Sequence, residues 1–599
     1  MGLAVQLQAQ VTVTGKVIDE QQQPVPYANI VLLSLPDSTF VAGSISNEEG
    51  AFSLNVKETK DVLRISSIGY ATVYRPLDNR STDLGIICLA SDTQILAEVV
   101  VKADMPVTRM RGDALVTNIQ NSVLSKAGSA SDVLGKVPGV IKERNSYEVL
   151  GKGTPLIYIN GRQVRDDSEL DQLNSEDIKS VEVVTNPGAR YDATVTAVIR
   201  IQTIRRAGDG FGFDLRSSYY QSQNVDLIEQ LNVNYRHNGL DIFGIFRYLK
   251  NEYIMKNDIV HTLESDSLWK YQNLLDGTVV DKSLRGEIGA NYSLNDKHSL
   301  GFRYTLTSRP NTKSDVFTSN DITANNQFYD YLENQEYSST SGKPTHQLNV
   351  YYNGTVGDLN IDFNTDYYTN TSTGKGLYHE ISQEQESRIV TSTNNVDNKL
   401  YAAKLIASYP LAGGNLSLGS EFTSTRRTDL FTNPQEILPT TDSHIREDRA
   451  GAFAEYSKFI RIAYLNMGLR YEHVSTERSY DNFFPNVSLS TQIGKLQTQL
   501  GYTTKTKRPT YAQLSSNMNY INRFTYMNGN PALKPTNLHD ITLSGSYDWF
   551  QFMLSYQREK DVILYMTDQY EKNPAITIIT HRNYDRIDNV SVFLIASPI

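Results

Sequence analysis

Few residues in this chain have the types and spacing that covalent chemistry or metal binding requires. His261, Glu264 and the distant His379 follow the ligand order of a zinc carboxypeptidase. Both segments are polar and are predicted to be loops. The chain has nine His and 67 acidic residues, so chance pairs of this kind are expected. We therefore predict no metal site, no bound cofactor and no catalytic residues, and hence a protein that is not an enzyme.

Two further candidates for chemistry also fail on spacing. Gly128 and Gly135-Lys136 are spaced wrongly for a phosphate-binding loop, and Val137 stands where such a loop needs Ser or Thr. The single cysteine, Cys88, excludes an intrachain disulfide and has no neighbouring His that would activate its thiol. We expect Cys88 to be a small buried residue within a strand.

Composition narrows the class of protein. The 599 residues carry a net charge of −10, which argues against a nucleic-acid-binding protein with its usual basic face. No apolar run approaches the roughly 18 residues of a membrane helix. A membrane β-barrel stays open, because only alternate residues of its strands meet lipid. The 37 Tyr against 2 Trp suit the aromatic girdles at the two membrane boundaries of such a barrel.

Residues 210–599 show the alternation that a barrel requires. Apolar and polar residues alternate at 299–306, 359–364, 465–472 and 550–557, and charges recur on one face only. We expect Leu300, Phe302, Tyr304 and Leu306 to face lipid, and Arg303 to face the lumen or a domain inside it, where substitution is tolerated better. At ~20–25 residues per strand and loop this region holds about 16–20 strands, fewer than the 22 of outer-membrane transporters.

Residues 11–91 are predicted to form a small all-β domain. Strands are predicted at Val11–Ile18, Ala28–Leu33, Ala51–Val56, Val62–Ile68 and Ile86–Leu89. The segments GKVIDEQQQPVPYANIVL, SISNEEGAFSLNV and LRISSIGYATV resemble the carboxypeptidase regulatory-like domain, a non-catalytic β-sandwich of immunoglobulin-like or transthyretin-like fold. Residues 1–10 resemble the remnant of a secretory signal peptide.

Residues 106–206 are the most informative part of the chain. A hairpin is predicted to close on Asn160-Gly161, followed by a polar helix and a strand at Ser180–Val184. The stretches Lys136–Val140 and Asn186–Asp192 surround it. This pattern resembles the plug domain of TonB-dependent outer-membrane receptors, above all those of Bacteroidetes-type bacteria. The resemblance singles out Pro138, Gly139, Asn160, Gly161, Glu182, Asn186, Pro187, Arg190 and Tyr191.

Plug charges in this family often pair with charges on the barrel wall. Arg162, Glu182 and Arg190 are the candidates, and ordinary surface charge is the alternative. The family usually has a Gly-rich step before the last plug strand, whereas this chain reads Ala193-Thr194-Val195-Thr196-Ala197. Because this stretch lacks glycine, the turn before the last plug strand is expected to differ in geometry from that of the family.

The linker at 92–105 contains a short β-branched stretch. In receptors of this type such a stretch is often the TonB box, which adds a strand to the energy-transducing partner. The resemblance implies this role for Glu98, Val99, Val100 and Val101. A plain strand of the neighbouring domain is the alternative.

A long stretch at 505–547 resembles a barrel motif of the same receptors. Its marker residues are Arg508, Pro509, Tyr511, Asn530 and Pro531. Further strands usually follow this motif, and barrels commonly end in an aromatic residue. We therefore expect C-terminal strands to be missing from residues 210–599.

These patterns predict a mainly β chain: an N-terminal β-sandwich, a small α/β plug and a large, incomplete antiparallel transmembrane β-barrel. The resemblance implies a bacterial outer-membrane receptor whose N-terminal domain and plug base face the periplasm. Its partners would be a TonB-type energy transducer, outer-membrane lipid and a small-molecule, glycan or peptide cargo. A surface lipoprotein is a further candidate partner, and nucleic acid is not one. The alternative function is a non-transporting surface barrel, an adhesin or structural protein with a vestigial plug.

Overall fold

The computed structural model describes residues 10–34, 39–57, 61–67, 70–77, 82–90, 108–143, 146–164, 168–204, 209–264, 267–295, 297–476, 479–570 and 573–596. The chain divides into two compact units, Met1–Lys102 and Ala103–Ile599. No helix among these residues is long and apolar enough to cross a membrane.

The first unit is a β-sandwich. Its strands are β1 (Gln10–Asp19), β2 (Asn29–Ser34), β3 (Thr39–Ile45), β4 (Ala51–Lys57), β5 (Asp61–Ser66), β6 (Val73–Pro76) and β7 (Asp83–Leu89). One sheet has the order β4-β1-β7 and the other β3-β2-β5-β6. Alternate residues such as Val17, Ile30 and Leu63 point into a shared apolar core. The predicted sandwich is confirmed, and β3 and β6 are strands that the sequence pattern had not indicated.

The expectation for Cys88 is wrong, because Cys88 is exposed. Ile87 and Leu89 are buried in the sandwich core. The two-residue period of a strand therefore turns Cys88 outward.

The plug begins the second unit. Its strands are β8 (Thr108–Arg111), β9 (Ala114–Asn118), β10 (Val140–Glu143), β11 (Ser146–Val149), β12 (Leu156–Ile159), β13 (Arg162–Gln163), β14 (Ile178–Val184) and β15 (Val198–Thr203). Two helices, α1 (Ala130–Leu134) and α2 (Ser168–Gln172), and two 3-10 turns, Val123–Lys126 and Ser175–Asp177, lie between these strands. A six-stranded sheet of order β13-β12-β15-β14-β9-β8 carries the plug core.

Two turns of the plug, at 160–161 and 192–196, are determined by the residues within them. Asn160 and Gly161 both have positive φ, 50° and 82°, as the two central residues of a type I′ hairpin turn require. The turn without glycine at 192–196 is stabilised by a side chain instead. The Asp192 carboxylate accepts hydrogen bonds from the backbone N–H and the hydroxyl of Thr194, at 2.9 and 2.7 Å.

The remaining described residues of the unit form twenty strands of one large sheet, which is antiparallel except where β32 pairs in parallel with β35. They are β16 (Gly210–Gln221), β17 (Val225–His237), β18 (Leu240–Glu264), β19 (Leu268–Asn295), β20 (His298–Ser308), β21 (Thr312–Ala324), β22 (Gln327–Gly342), β23 (Thr345–Val356), β24 (Leu359–Ser382), β25 (Arg388–Leu411), β26 (Gly414–Thr432), β27 (Thr441–Ile460), β28 (Ala463–Ser475), β29 (Ser479–Ile493), β30 (Leu496–Lys507), β31 (Met518–Asn522), β32 (Thr525–Asn528), β33 (Thr536–Tyr547), β34 (Phe550–Tyr570) and β35 (Asn573–Ala596), with helix α3 (Tyr511–Leu514) between β30 and β31.

The two faces of this sheet differ as the alternation predicted. Leu300, Phe302 and Leu306 of β20 are exposed on the outer face, whereas the Arg303 side chain is 11% exposed on the inner face beside the plug. The loops predicted around His261 and His379 are wrong. Both residues lie in long strands, β18 and β24, which continue past the apolar outer band.

The hairpin β31–β32 lies inside the mouth of the sheet rather than in its wall. Its residues Tyr520, Arg523, Phe524 and Tyr526 are all buried. The hairpin contacts widely separated wall strands: Asn334 of β22 donates to the Ile521 carbonyl, and the Thr577 N–H of β35 donates to the Phe524 carbonyl. The hairpin therefore crosses the opening at one end of the sheet, which we call the mouth. The mouth lies opposite the end that carries short turns such as 412–413 and 461–462.

Candidate functional site

The segment Asn186–Asp192 seats the plug against the inner face of the barrel wall. The Arg190 guanidinium forms an ion pair with Glu455 of β27 at 3.0 Å, and its backbone carbonyl accepts a hydrogen bond from Lys404 of β25 at 2.7 Å. Burial by itself would lower the pKa of Arg190, but Glu455, Tyr191 and Asp113 together hold that pKa above its usual value. We call the contact surface of Asn186–Asp192 the plug seat.

Asp192 is the electrostatic centre of the plug seat. Arg508 lies 3.1 Å from one carboxylate oxygen of Asp192, and Arg449 and Arg470 lie 3.5 and 3.8 Å from the other. Burial would raise the pKa of Asp192, but the three guanidinium groups outweigh it and hold the pKa far below its ordinary value. Asp192 is therefore ionised at every physiological pH.

Barrel carboxylates balance the same arginines. Glu472 of β28 pairs with Arg470 at 2.6 Å and also with Arg508, and Glu421 of β26 lies 3.2 Å from Arg470. The side chains of Arg470 and Glu472 are each 1% exposed. A charge network this deep is retained only when every charge has a partner, and one of its carboxylates belongs to the plug.

The backbone of the plug seat closely approaches the barrel wall at Pro187 and Gly188. A Cβ on Gly188 would lie 2.0 Å from a carboxylate oxygen of Glu455, so a larger residue there would require the Glu455 side chain to move. The carbonyl of Pro187 accepts a hydrogen bond from Lys505 of β30 at 2.9 Å. The side chain of Asn186 is buried near Gln499, at 3.4 Å.

A second buried contact joins plug and barrel, and the sequence analysis missed it. The Lys152 ammonium bonds to Asp540 and Thr542 of β33, both at 2.7 Å, and the side chains of Lys152 and Asp540 are 1% and 4% exposed. Burial lowers the pKa of Lys152, and Asp540 opposes that shift. Lys152 precedes a Gly-Thr-Pro turn and no charge pattern marks it, so only the fold identifies its partner.

The other predicted plug residues have different partners. Arg162 pairs with Glu169 of the plug at 2.8 Å, and Glu169 also pairs with Arg303 of the barrel at 2.8 Å. Glu182 pairs with Arg200 within the plug sheet at 2.7 Å. Of Arg162, Glu182 and Arg190, only Arg190 forms an ion pair with the barrel wall within the described part of the chain.

The remaining plug markers shape the plug itself. Gly139 has a φ of 81°, and its carbonyl accepts the Leu150 N–H, so the Pro138-Gly139 turn joins α1 to β10. The Tyr191 ring is buried and packs edge-on against Tyr158, with ring centroids 5.9 Å apart.

Three family models match successive parts of the chain. Residues 13–101 match the CarboxypepD_reg-like domain, residues 111–198 match the TonB-dependent Receptor Plug Domain, and residues 356–597 match the outer membrane protein beta-barrel family. The chain belongs to the TonB-dependent outer-membrane receptors. The family points to a receptor or transporter of the outer membrane rather than an enzyme, and it implies a TonB-type partner and a small-molecule cargo.

A comparison with solved structures finds three examples of similar form. A variant of the ferric enterobactin receptor of Pseudomonas aeruginosa is 16% identical, with 81% of this chain and 78% of that chain covered and a TM-score of 0.48. The siderophore receptor PirA of Acinetobacter baumannii is 15% identical, with 80% and 77% covered and a TM-score of 0.47. The copper transporter OprC is 14% identical, with 82% and 77% covered and a TM-score of 0.48. A comparison with curated proteins finds no match.

The barrel motif of the receptor connects the plug seat to the hairpin at the mouth. Arg508 binds Asp192, Pro509 precedes α3, and the Tyr511 ring lies under Arg427, whose guanidinium carbon is 5.9 Å from the ring centroid. Asn530, which precedes Pro531, donates to the His581 carbonyl of β35 at 2.9 Å and accepts the Ala532 N–H. The motif therefore fixes both ends of the segment that carries β31–β32.

Glu380 of β24 fixes the middle of that segment. Its fully buried carboxylate accepts hydrogen bonds from the Tyr520 hydroxyl at 2.8 Å and from the backbone and guanidinium of Arg523 at 2.9 and 3.2 Å. Arg388 of β25 adds an ion pair at 2.8 Å. Glu380 is thus the anchor that holds the hairpin across the mouth of the receptor.

The predicted TonB box, Glu98–Val101, lies outside the described residues. The carboxypeptidase-like trio does not form a site in the part of the chain that the structure describes, where no group of three or more metal-binding side chains occurs. His261 instead stacks on Tyr271, with ring centroids 4.5 Å apart.

Proposed function

We propose that this receptor imports an extracellular nutrient into the periplasm, driven by a TonB-type partner that pairs with Glu98–Val101. Cargo binds on the mouth side of the barrel, and the partner pulls on the linker. The pull unseats the plug and opens a path along the inner wall. No covalent step is required of any residue.

The observation that carries this proposal is the polar nature of the plug seat and of the second plug–barrel contact at Lys152. Arg190 to Glu455, Asp192 to Arg508 and Lys152 to Asp540 are charge pairs that water can replace when the contact opens. The apolar core of the plug is separate and lies within the plug itself. Polar contacts contribute little net free energy when water can replace them, so the plug can leave the wall without exposing its core.

The marker residues take defined roles in this proposal. Asn186, Pro187 and Arg190 hold the plug to the wall, and Pro138, Gly139, Asn160, Gly161, Glu182 and Tyr191 shape the plug. Arg508, Pro509, Tyr511, Asn530 and Pro531 link the plug seat to the hairpin at the mouth. Cargo that displaces the hairpin would therefore also move Arg508, the motif residue that binds Asp192.

The test uses cells that express the receptor and are supplied with labelled ferric chelates, oligosaccharides and oligopeptides. We expect one class to accumulate only when the receptor is present and to stop accumulating when a protonophore collapses the proton gradient. Val100→Pro removes a backbone donor and fixes φ, so it should abolish accumulation while surface binding persists. Val100→Ile keeps the extended conformation and should leave both unchanged.

Two results would contradict the proposal. Accumulation that is unchanged in Val100→Pro would remove Glu98–Val101 from the mechanism. Binding without accumulation in the unmodified receptor would favour the non-transporting surface barrel.

A further inference from the structure

A narrow polar crevice lies between the plug and one part of the barrel wall. Its plug side is formed by β13, and its wall side by β20, β23 and β24. The crevice has a volume of about 10 Å³, room for about one water molecule. The neutral residues that line it all carry a side-chain amide or a hydroxyl: Gln163, Thr305, Gln347, Asn349 and Asn364. We call this contact the β13 crevice.

The wall side of the β13 crevice forms hydrogen bonds within itself. The Asn349 amide donates to Asn364 at 2.7 Å and to Asp366 at 2.9 Å, and all three residues belong to the wall. These bonds remain when the plug moves away. Water can replace polar contacts to the plug at little net cost in free energy.

The charges beside the β13 crevice divide evenly between plug and wall. Glu169 of α2 pairs with Arg162 of β13 at 2.8 Å and with Arg303 of β20 at 2.8 Å. Arg303 also pairs with Glu287 of β19 at 3.0 Å, and Arg285 lies 2.9 Å from Glu287. When the plug and this part of the wall separate, Glu169 keeps Arg162 and Glu287 keeps Arg303. Each carboxylate therefore still has a cation as its partner.

The plug seat and the contact at Lys152 divide less favourably. The three arginines that pair with Asp192 all belong to the wall, and the ion pair of Lys152 with Asp540 joins plug to wall directly. Separation at these places leaves buried charges without their partners, which is costly. We therefore expect these two contacts to outlast the β13 crevice.

An apolar contact holds the plug to a different part of the wall. Leu115 and Leu150 of the plug and Met553, Phe593 and Ile595 of β34 and β35 line one cavity of about 60 Å³. Exposing apolar side chains to water costs free energy in proportion to their area. This contact therefore favours a plug that stays attached near β34 and β35.

Strand β13 is placed to move without opening the plug core. It is the end strand of the six-stranded plug sheet, and it joins β12 through two residue pairs, Tyr158 with Gln163 and Ile159 with Arg162. A short edge strand with few ladder bonds opens at a lower free energy than the centre of a sheet.

We propose that the cargo path opens at the β13 crevice, while the plug seat, Lys152 and the apolar contact still hold the plug. This path presupposes the import proposed above. The edge of the plug moves away from β20, β23 and β24, and water fills the space. Gln163, Gln347, Asn349 and Asn364 then line the path, and their amides both donate and accept hydrogen bonds.

The test measures ionic current through the purified full chain in a planar lipid bilayer. Urea weakens contacts between protein groups, so its concentration is raised until a current appears. In a Cys88→Ser background, Gln163→Cys/Gln347→Cys is crosslinked across the β13 crevice with bismaleimidoethane. The matched control, Leu150→Cys/Ile595→Cys, is crosslinked at the apolar contact. Each single-cysteine variant, treated with the same reagent, controls for the bulk of the reagent.

We expect the current to be lost when the β13 crevice is crosslinked and to persist when the apolar contact is crosslinked. A second variant tests the path without any crosslink. Gln347→Lys places a positive charge in the path, so the reversal potential in a KCl gradient should shift toward that of chloride. Gln551→Lys, at the apolar contact, should leave the reversal potential unchanged.

Four results would overturn this path. A current that survives the Gln163–Gln347 crosslink would place the path elsewhere. Loss of current in both crosslinked pairs would show that the plug leaves as one body. An unchanged reversal potential in Gln347→Lys would show that ions do not pass the β13 crevice. Absence of any current before the barrel itself unfolds would show that the crevice does not open.

The currents require neither cargo nor a TonB-type partner. A failure of import in cells is therefore a separate result, which would reject the proposed function and leave the location of the opening to the bilayer measurement.

Discussion

Asp192 is the residue on which the charges of plug and barrel converge. Asp192→Asn would leave Arg508, Arg449 and Arg470 with too few carboxylates. Removing one partner from a buried charge network costs about 3 kcal/mol. We expect hydrogen exchange of the 186–196 amides to accelerate accordingly. Asp548→Asn, which removes an exposed carboxylate 3.5 Å from exposed Lys495, should leave exchange unchanged.

The same carboxylate sets a pH dependence. The pKa of Asp192 is lowered in the folded receptor, so its stabilising contribution is complete above its unfolded pKa and is lost as pH falls through the folded value. Protection of the 186–196 amides should therefore be the same at pH 7 and pH 5. A decline between those two pH values would contradict the depressed pKa.

Phe302 and Ser372 separate the two faces of the wall at the level of single residues. Phe302→Arg places a charge in lipid and should cost ~2–4 kcal/mol, enough to impair insertion. Ser372→Arg, on the inner face of β24, should assemble normally. Heat-modifiable electrophoretic mobility of the membrane fraction is the measurement. Equal behaviour of the two variants would mean that the faces are assigned wrongly.

Arg303 shows why an inner-face residue is not automatically tolerant of substitution. It pairs with Glu287 at 3.0 Å and with Glu169 at 2.8 Å, and both carboxylates are buried. Arg303→Ser would remove one ion-pair partner from each of these carboxylates, which Arg285 and Arg162 also contact. The expectation that substitution of Arg303 is tolerated is therefore replaced by an expected loss of stability.

The hairpin β31–β32 is the element whose position decides whether the mouth is open. Glu380→Gln removes the charge that both Arg388 and Arg523 neutralise, and we expect a loss of roughly 3 kcal/mol in hairpin anchoring. Hydrogen exchange of the 518–528 amides should accelerate, while the plug seat keeps its protection. Glu384→Gln, at an exposed position of the adjacent loop, is the control and should change neither. Unchanged exchange in Glu380→Gln would show that the hairpin is held by its apolar contacts.

At the scale of the whole molecule, the N-terminal sandwich should fold without the rest of the chain. Its core is internal to the first unit. We expect the fragment 11–91 to unfold in one cooperative transition in urea and to give dispersed amide resonances. Leu32→Ala, in the core, should cost about 2–5 kcal/mol, whereas Ile86→Ala, 65% exposed, should cost little. A collapsed amide spectrum would show that the domain boundary is misplaced.

Local patterns in the sequence were enough to predict the class of fold. The two-residue period fixes which face of a strand an amino acid occupies, so Leu300, Phe302 and Leu306 could be placed outward without coordinates. The Asn160-Gly161 turn followed from its two residues, because few others accept positive φ at both positions. The sandwich was predicted from its alternation, although β3 and β6 carry too little pattern to be recognised.

The tertiary structure alone decided which charges meet. Lys152 and Asp540 are 388 positions apart, and Glu380 and Arg523 are 143 apart, so nothing local to either sequence marks the pair. Periodicity assigns a side chain to a face but is silent about what stands opposite that face. The plug seat and the anchor at Glu380 therefore emerge only when the register of neighbouring strands and the insertion of the plug bring distant residues together.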